Sequence, residues 1–183
     1  TRRLLAFARR QPLSARSVRL DDLIGDIGVL LAHSVGPNVE ILYQLDSHWH
    51  VFCDANQMEN AILNLVINAR DAMPNGGQII ISTADVPIAV DESGQMAVDQ
   101  VRLRVADTGT GMSEEVRSRA LDPFFSTKPV GKGTGLGLST ILGYVMQSNG
   151  RLSIASELDK GTTIDIVLPR EMRDVPDAPR EVA

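Results

Sequence analysis

One helix constrains this fold more than any other feature. Over residues 56–73, Met58, Ile62, Leu65, Ala69 and Ala72 recur at three- and four-residue steps. One face is therefore apolar and must be covered by something flat. "PNGG" (74–77) ends it, as a Pro/Gly turn does. The period then switches to two: "QIIISTADV" (78–86) and "QVRLRVAD" (100–107) read as strands.

The same reading predicts a helix over 20–34, with Leu20, Leu23, Ile24, Ile27, Leu30 and Leu31 on its apolar face. It predicts strands over 39–45 and 49–54, and a short helix over 113–121 with Ser113 as N-cap. An apolar helix follows over 135–150, ended by Gly150. "RLSIASEL" and "TTIDIVLP" form a hairpin around "DKG". Residues 13–19 read as a linker and 122–134 as a loop. The segment between 86 and 100 reads as a hairpin tip turning at Ser93-Gly94. The order predicts an α+β, two-layer sandwich, with one mostly antiparallel sheet and helices on one face.

Composition narrows the function. Net charge is −5, and no basic stripe occurs beyond "RR" at 2–3 and 9–10. That disfavours a nucleic-acid partner. No apolar run is long enough to cross a bilayer. The single cysteine, Cys53, excludes an internal disulfide and a multi-cysteine zinc site, and fits a reduced, cytoplasmic setting. The chain begins at Thr1 in mid-pattern, and "TRRLLAFARRQP" reads as the last turns of a longer helix stopped at Pro12. It is expected to be part of something longer. After Pro169 the sequence is polar, with Pro176 and Pro179, and predicts a flexible tail over 170–183.

Four motifs can carry chemistry. "KPVGKGTGLGLST" (128–140) places Gly131, Gly133, Gly135 and Gly137 just before or at the start of a helix, with Lys128 and Lys132 beside them. A helix N-terminus suits phosphate, and glycines let a backbone come close to it. The string matches neither common nucleotide loop, G-x-x-x-x-G-K-[ST] or G-x-G-x-x-G after a strand. Taken alone, it serves equally as a mobile surface loop. "NLVINARDA" sets Asn64 and Asn68 four apart and Asp71 three further on, nearly one helix face. Such oxygen ligands suit Mg²⁺, and such a face also suits plain solvation. In "VADTGTGM", Asp107 ends a strand before Gly109 and Gly111. Its carboxylate can accept from a ligand's amino group, or simply close a turn. "LDPFFSTKP" sets Phe124 and Phe125 in a loop of a chain that is only 4% aromatic.

Order and spacing together are more specific than any one motif. Across residues 18–169 the chain resembles the catalytic, ATP-binding domain of two-component sensor histidine kinases. These form a branch of the superfamily that also holds gyrase, heat-shock chaperone and mismatch-repair ATPases. The resemblance implies the Bergerat ATP-binding fold with a mobile ATP lid, and Mg²⁺-ATP as ligand. Residues 1–17 resemble the end of that family's dimerisation helix and its linker. Asn68 matches the Mg²⁺-coordinating residue, with Asp71 beside it. Asp107 matches the carboxylate that reads the adenine amino group, with Gly109 and Gly111 letting the base lie close. Phe124 and Phe125 match the start of the lid. Gly133, Thr134, Gly135, Leu136, Gly137 and Leu138 match the glycine box that meets the phosphates, and Thr162 or Thr163 matches a position near the base. Lys128 and Lys132 match no invariant position, and phosphate contact is expected of them only as cations beside the box.

Asn64 separates the branches. The ATPases carry a glutamate here that activates water, and an amide cannot act as that base. The resemblance therefore implies γ-phosphoryl transfer to a histidine of the dimerisation domain, then to an aspartate of a response regulator, within a homodimeric parent. Of His33, His48 and His50, none has the family's acceptor context; His33 has Ser34 after it and Pro37 four positions on. The acceptor is expected upstream. The alternatives are an anti-sigma-type Ser/Thr kinase or a nucleotide-binding pseudokinase of the same fold. The membrane status of the parent is open, and this piece is expected to make no direct membrane contact.

Overall fold

The computed structural model describes residues 14–87, 98–128 and 133–172. The helix ending at Pro12, the Ser93-Gly94 turn, Lys132 and the tail beyond 172 lie outside them. In chain order the elements are β1 (Ala15–Arg19), α1 (Leu20–Val35), β2 (Val39–Asp46), β3 (His50–Asp54) and α2 (Ala55–Asp71). After these come β4 (Gly77–Val86), β5 (Gln100–Asp107), α3 (Glu114–Arg119), α4 (Gly137–Gln147), β6 (Arg151–Glu157) and β7 (Gly161–Pro169).

Five strands make one sheet in the order β2-β4-β5-β7-β6, in which only the β2–β4 pair is parallel. Strand alternation divides its side chains between two faces. Ile79, Ile81, Val101, Leu103, Val105, Ile164, Ile166 and Leu168 are buried with the apolar faces of α1, α2 and α4 in one core. The expected mixed, mostly antiparallel sheet with helices on one face is what forms. The other face carries Arg102, Arg104 and Thr163, and Arg104 pairs with Asp165 at 2.7 and 2.8 Å across β5 and β7.

The expectation of a single sheet is corrected. β3 leaves the main sheet and pairs antiparallel with β1, inside the stretch read as a linker. β1 buries only Val18, so its sequence lacks the alternation that marks a half-buried strand. Asp54 ties this small sheet to α2. Its Oδ1 accepts from the Gln57 backbone N–H at 3.1 Å, capping the helix, and its Oδ2 accepts from Ser14 N–H at 3.0 Å. At the far end of the chain, Arg170 bridges to Val51 of β3, and Glu171 N–H donates to His50 O at 2.7 Å.

Smaller expectations hold or shift for local reasons. Ser113 Oγ accepts from Val116 N–H at 3.3 Å, the expected cap. α4 is shorter than predicted at both ends, and the left-handed residue after it is Asn149 (φ 56°), which tolerates that conformation. Gly150 is needed for another reason. A Cβ there would lie 2.6 Å from both Leu168 Cδ2 and Val167 O.

Candidate active site

The period-two pattern of β5 continues one step past Val105, so Asp107 projects on the helix-covered face at the strand's end. Asp107 Oδ1 accepts from Gly109 N–H at 2.8 Å and Thr162 N–H at 3.2 Å. Oδ2 takes no hydrogen bond from the described residues. Burial pushes this carboxyl's pKa up, and the two backbone N–H groups pull it only part of the way back. By the same alternation Thr162, not Thr163, shares the face of Ile164; Thr163 lies on the opposite face.

Asp107 stands in a cleft of about 620 Å³ between α2, the ends of β5 and β7, and the two sides of the glycine-rich loop. Val105, Met112, Ile164 and Leu138 supply apolar wall, while Asn64, Asn68 and Asp71 come from one face of α2. The Phe125 ring lines it too, held under the Arg119 guanidinium at 4.3 Å from its centre, whereas Phe124 points outward and is 66% exposed. Gly133, Thr134, Gly135 and Gly137 close the polar end; Leu136 does not line it. A hollow of about 740 Å³ on the helix-free sheet face gathers none of the motif residues except Thr163.

The N-terminus of α4 opens onto this polar end. No side chain caps it, so first-turn N–H groups there are available to an anion. A Cβ on Gly137 would sit 4.0 Å from Asn68 Nδ2. Asn68 and the glycine box, far apart in the chain, are thus neighbours.

Gly109 and Gly111 admit close approach of the protein's own backbone. A Cβ on Gly109 would lie 2.7 Å from Ala72 O, and one on Gly111 (φ 63°) would strike the Glu157 backbone. The space they leave is filled by the protein itself. Gly109 does not line the cleft, and Gly111 does. The loop is locked further by Thr110 N–H to Ala72 O at 3.0 Å and Asp159 N–H to Thr110 O at 2.8 Å.

Two cations reach Asp71. Arg70 donates to Oδ1 at 3.0 and 2.6 Å and also to Ser34 O at 2.8 Å. Lys128 Nζ donates to Oδ2 at 2.6 Å and to Asn68 Oδ1 at 3.3 Å. Burial alone would raise the Asp71 pKa, but the bonds and charges of Lys128 and Arg70 outweigh it and hold the carboxyl below the usual range. The two oxygens converge on one cationic atom, so this pair fits a hard cation such as Mg²⁺.

Sequence reasoning missed Ser156, whose Oγ accepts from Met112 N–H at 2.9 Å and lies 2.9 Å from Thr162 Oγ1. Gly161 (φ 89°), which precedes Thr162, abuts Asp107, and a Cβ there would strike the Asp107 carbonyl. The only sequence signal for either contact was the tight "DKG" turn.

Comparison with known proteins agrees with this geometry. The family described as histidine kinase-, DNA gyrase B-, and HSP90-like ATPase matches residues 53–172. The sensor kinase CckA of Brucella abortus (strain 2308) is 43% identical over 97% of this chain, which spans 20% of that protein. Sporulation kinase C of Bacillus subtilis (strain 168) is 32% identical over 91% of this chain and 36% of its own length. The catalytic domain of the histidine kinase ThkA, solved nucleotide-free, superposes with a TM-score of 0.70 at 26% identity, covering 86% of this chain and 96% of that one. The chain spans about a fifth to a third of these two curated relatives. No helix among the described residues is long and apolar enough to cross a membrane. With well over half the chain inside the family match and Asn64, Asn68, Asp71, Asp107 and the glycine box meeting at one cleft, this protein belongs to the histidine kinase-, DNA gyrase B- and HSP90-like ATPase family.

Proposed function

We propose that this chain is the ATP-binding kinase domain of a cytoplasmically facing sensor histidine kinase. The observation that supports this best is one cleft edged by Asp107, Asn68 and the uncapped start of α4. In this reading Asp107 Oδ2 accepts from the adenine amino group, and the apolar wall of Val105, Met112 and Ile164 receives the ring. Asn68, with Asp71 beside it, holds Mg²⁺, and the N–H groups of the first turn of α4 meet the phosphates. Mg²⁺, when bound, neutralises charge on the phosphate oxygens.

Asn64 lines the same cleft where a general base would stand for hydrolysis. Its amide takes no proton from water at neutral pH. The γ-phosphorus is therefore left for an imidazole nitrogen of a dimerisation-domain histidine. The N–P bond forms, the bond to the β-phosphate oxygen breaks, and ADP leaves. The phosphoryl group then passes to an aspartate of a response regulator, and the parent acts as a homodimer. Sequence kinship with sensor kinases supports this branch.

The test is transfer from γ-labelled Mg·ATP to a chain extended upstream through the dimerisation helices. Acid-labile, alkali-stable label that is lost when the upstream histidine is replaced is expected. Label on serine or threonine, or bound ATP without label, refutes the reading.

A further inference from the structure

Lys128 has no part in the roles proposed above, yet it makes the tightest contact across the cleft. Its ammonium reaches from the glycine-rich loop to α2, touching Asp71 Oδ2 at 2.6 Å and Asn68 Oδ1 at 3.3 Å. These are the two oxygens offered to a metal. We propose that Lys128 is the resident cation of the metal subsite in the nucleotide-free protein, and that a divalent ion enters only by displacing it. The inference rests on Asn68 and Asp71 forming that subsite.

Three observations carry it. The carboxylate is pre-aimed: Arg70, itself anchored on Ser34 O at 2.8 Å, occupies Oδ1 and leaves Oδ2 to the lysine. The lysine is in reach but not entombed, with 34% of its side chain exposed. And an ammonium is a compact charge on a flexible stem, able to vacate in a way a forked guanidinium is not. Metal entry and release of residue 128 from α2 are then one exchange. The subsite keeps a cation beside its two oxygens whether or not nucleotide is present.

The test uses Mn²⁺, which favours the same oxygen ligands as Mg²⁺. Free Mn²⁺ is followed by electron paramagnetic resonance in titrations of the nucleotide-free chain. An ion pair this exposed is worth at most about fivefold in an equilibrium. Lys128→Met is therefore expected to tighten Mn²⁺ binding about two- to fivefold over the natural chain. Lys128→Arg, which retains a cation that vacates less readily, shows no gain and binds Mn²⁺ no more tightly than the natural chain. Adding Asp71→Asn to Lys128→Met abolishes the gain. Equal Mn²⁺ affinity in the natural and Lys128→Met chains, or no uptake by either, overturns the exchange. ATP binding by the natural chain, measured alongside by calorimetry, keeps the two readings apart. If it persists while Mn²⁺ uptake is unchanged, only the exchange falls; if ATP does not bind, the nucleotide site falls and the exchange with it.

Discussion

Replacing Asp107 by Asn isolates the recognition of the base from the integrity of the fold. The carboxylate's Oδ1 already serves the protein, taking Gly109 N–H at 2.8 Å and Thr162 N–H at 3.2 Å. An asparagine oxygen can accept both, so the loop and the start of β7 keep their anchors. The change falls on the other atom. Oδ2, which takes no bond from the described residues, becomes an NH₂ group and faces the adenine amino group donor to donor. A hydrogen bond to a charged group is worth roughly 1.5–3 kcal/mol. At about 1.4 kcal/mol per tenfold, ATP affinity falls roughly ten- to hundredfold. Stability barely moves, and Tm shifts by less than about 4 °C, the span of about 1 kcal/mol in a chain of this size. Titration calorimetry with ATP, beside a melting curve, gives both numbers. Equal affinity at unchanged Tm refutes the assignment of Asp107. The pH profile is a second check. Burial raises the folded pKa of Asp107, so it protonates on acidification before an ordinary carboxylate at about 3.9 does. Protonated, it no longer accepts as an anion. ATP affinity of the natural chain therefore starts to fall above that pH, and the Asn variant lacks this step. For folding the sign is the reverse: the raised pKa favours the folded state at acid pH, and that contribution is lost as pH rises through the folded value.

Asn68→Ala is expected to abolish the Mg²⁺ dependence of ATP binding, read by calorimetry with and without chelator; unchanged dependence puts the metal elsewhere. Gly111→Ala forces a left-handed residue into the Glu157 backbone and is expected to cost at least about 2 kcal/mol, lowering Tm by about 5 °C or more. Gly143→Ala is the opposite case. It lies inside α4 with nothing within 4 Å of a new Cβ, so Tm is expected to rise by about 1–4 °C, from roughly 0.5–1 kcal/mol.

What the sequence exposed is what periodicity can carry. The three- and four-residue steps of α2 set Asn64, Asn68 and Asp71 on one side, and all three line the cleft. The alternation of β5 set Asp107 in line with Val105. What it hid depends on pairs distant in the chain. Lys128 meets α2 across 57 to 60 residues, and Thr162 N–H meets Asp107 across 55. No local pattern encodes either contact. β1 was hidden because a strand held by backbone bonds to one neighbour, with one buried side chain, needs almost no hydrophobic pattern. The glycines of "DTGTGM" were found, but not the protein backbone that they admit. A glycine marks a close approach without naming what approaches, and here it is Ala72 and Glu157 rather than a ligand alone.

The double use of Asp54 couples the small sheet to α2. One carboxylate grips Ser14 with one oxygen and the first turn of α2 with the other. Displacement of the segment entering β1 thus bears directly on the helix that carries Asn64 and Asn68, without first straining the five-stranded sheet. Residue 14 is thus linked through one carboxylate to the helix of Asn64 and Asn68, whereas Asp107 stands on β5 of the five-stranded sheet.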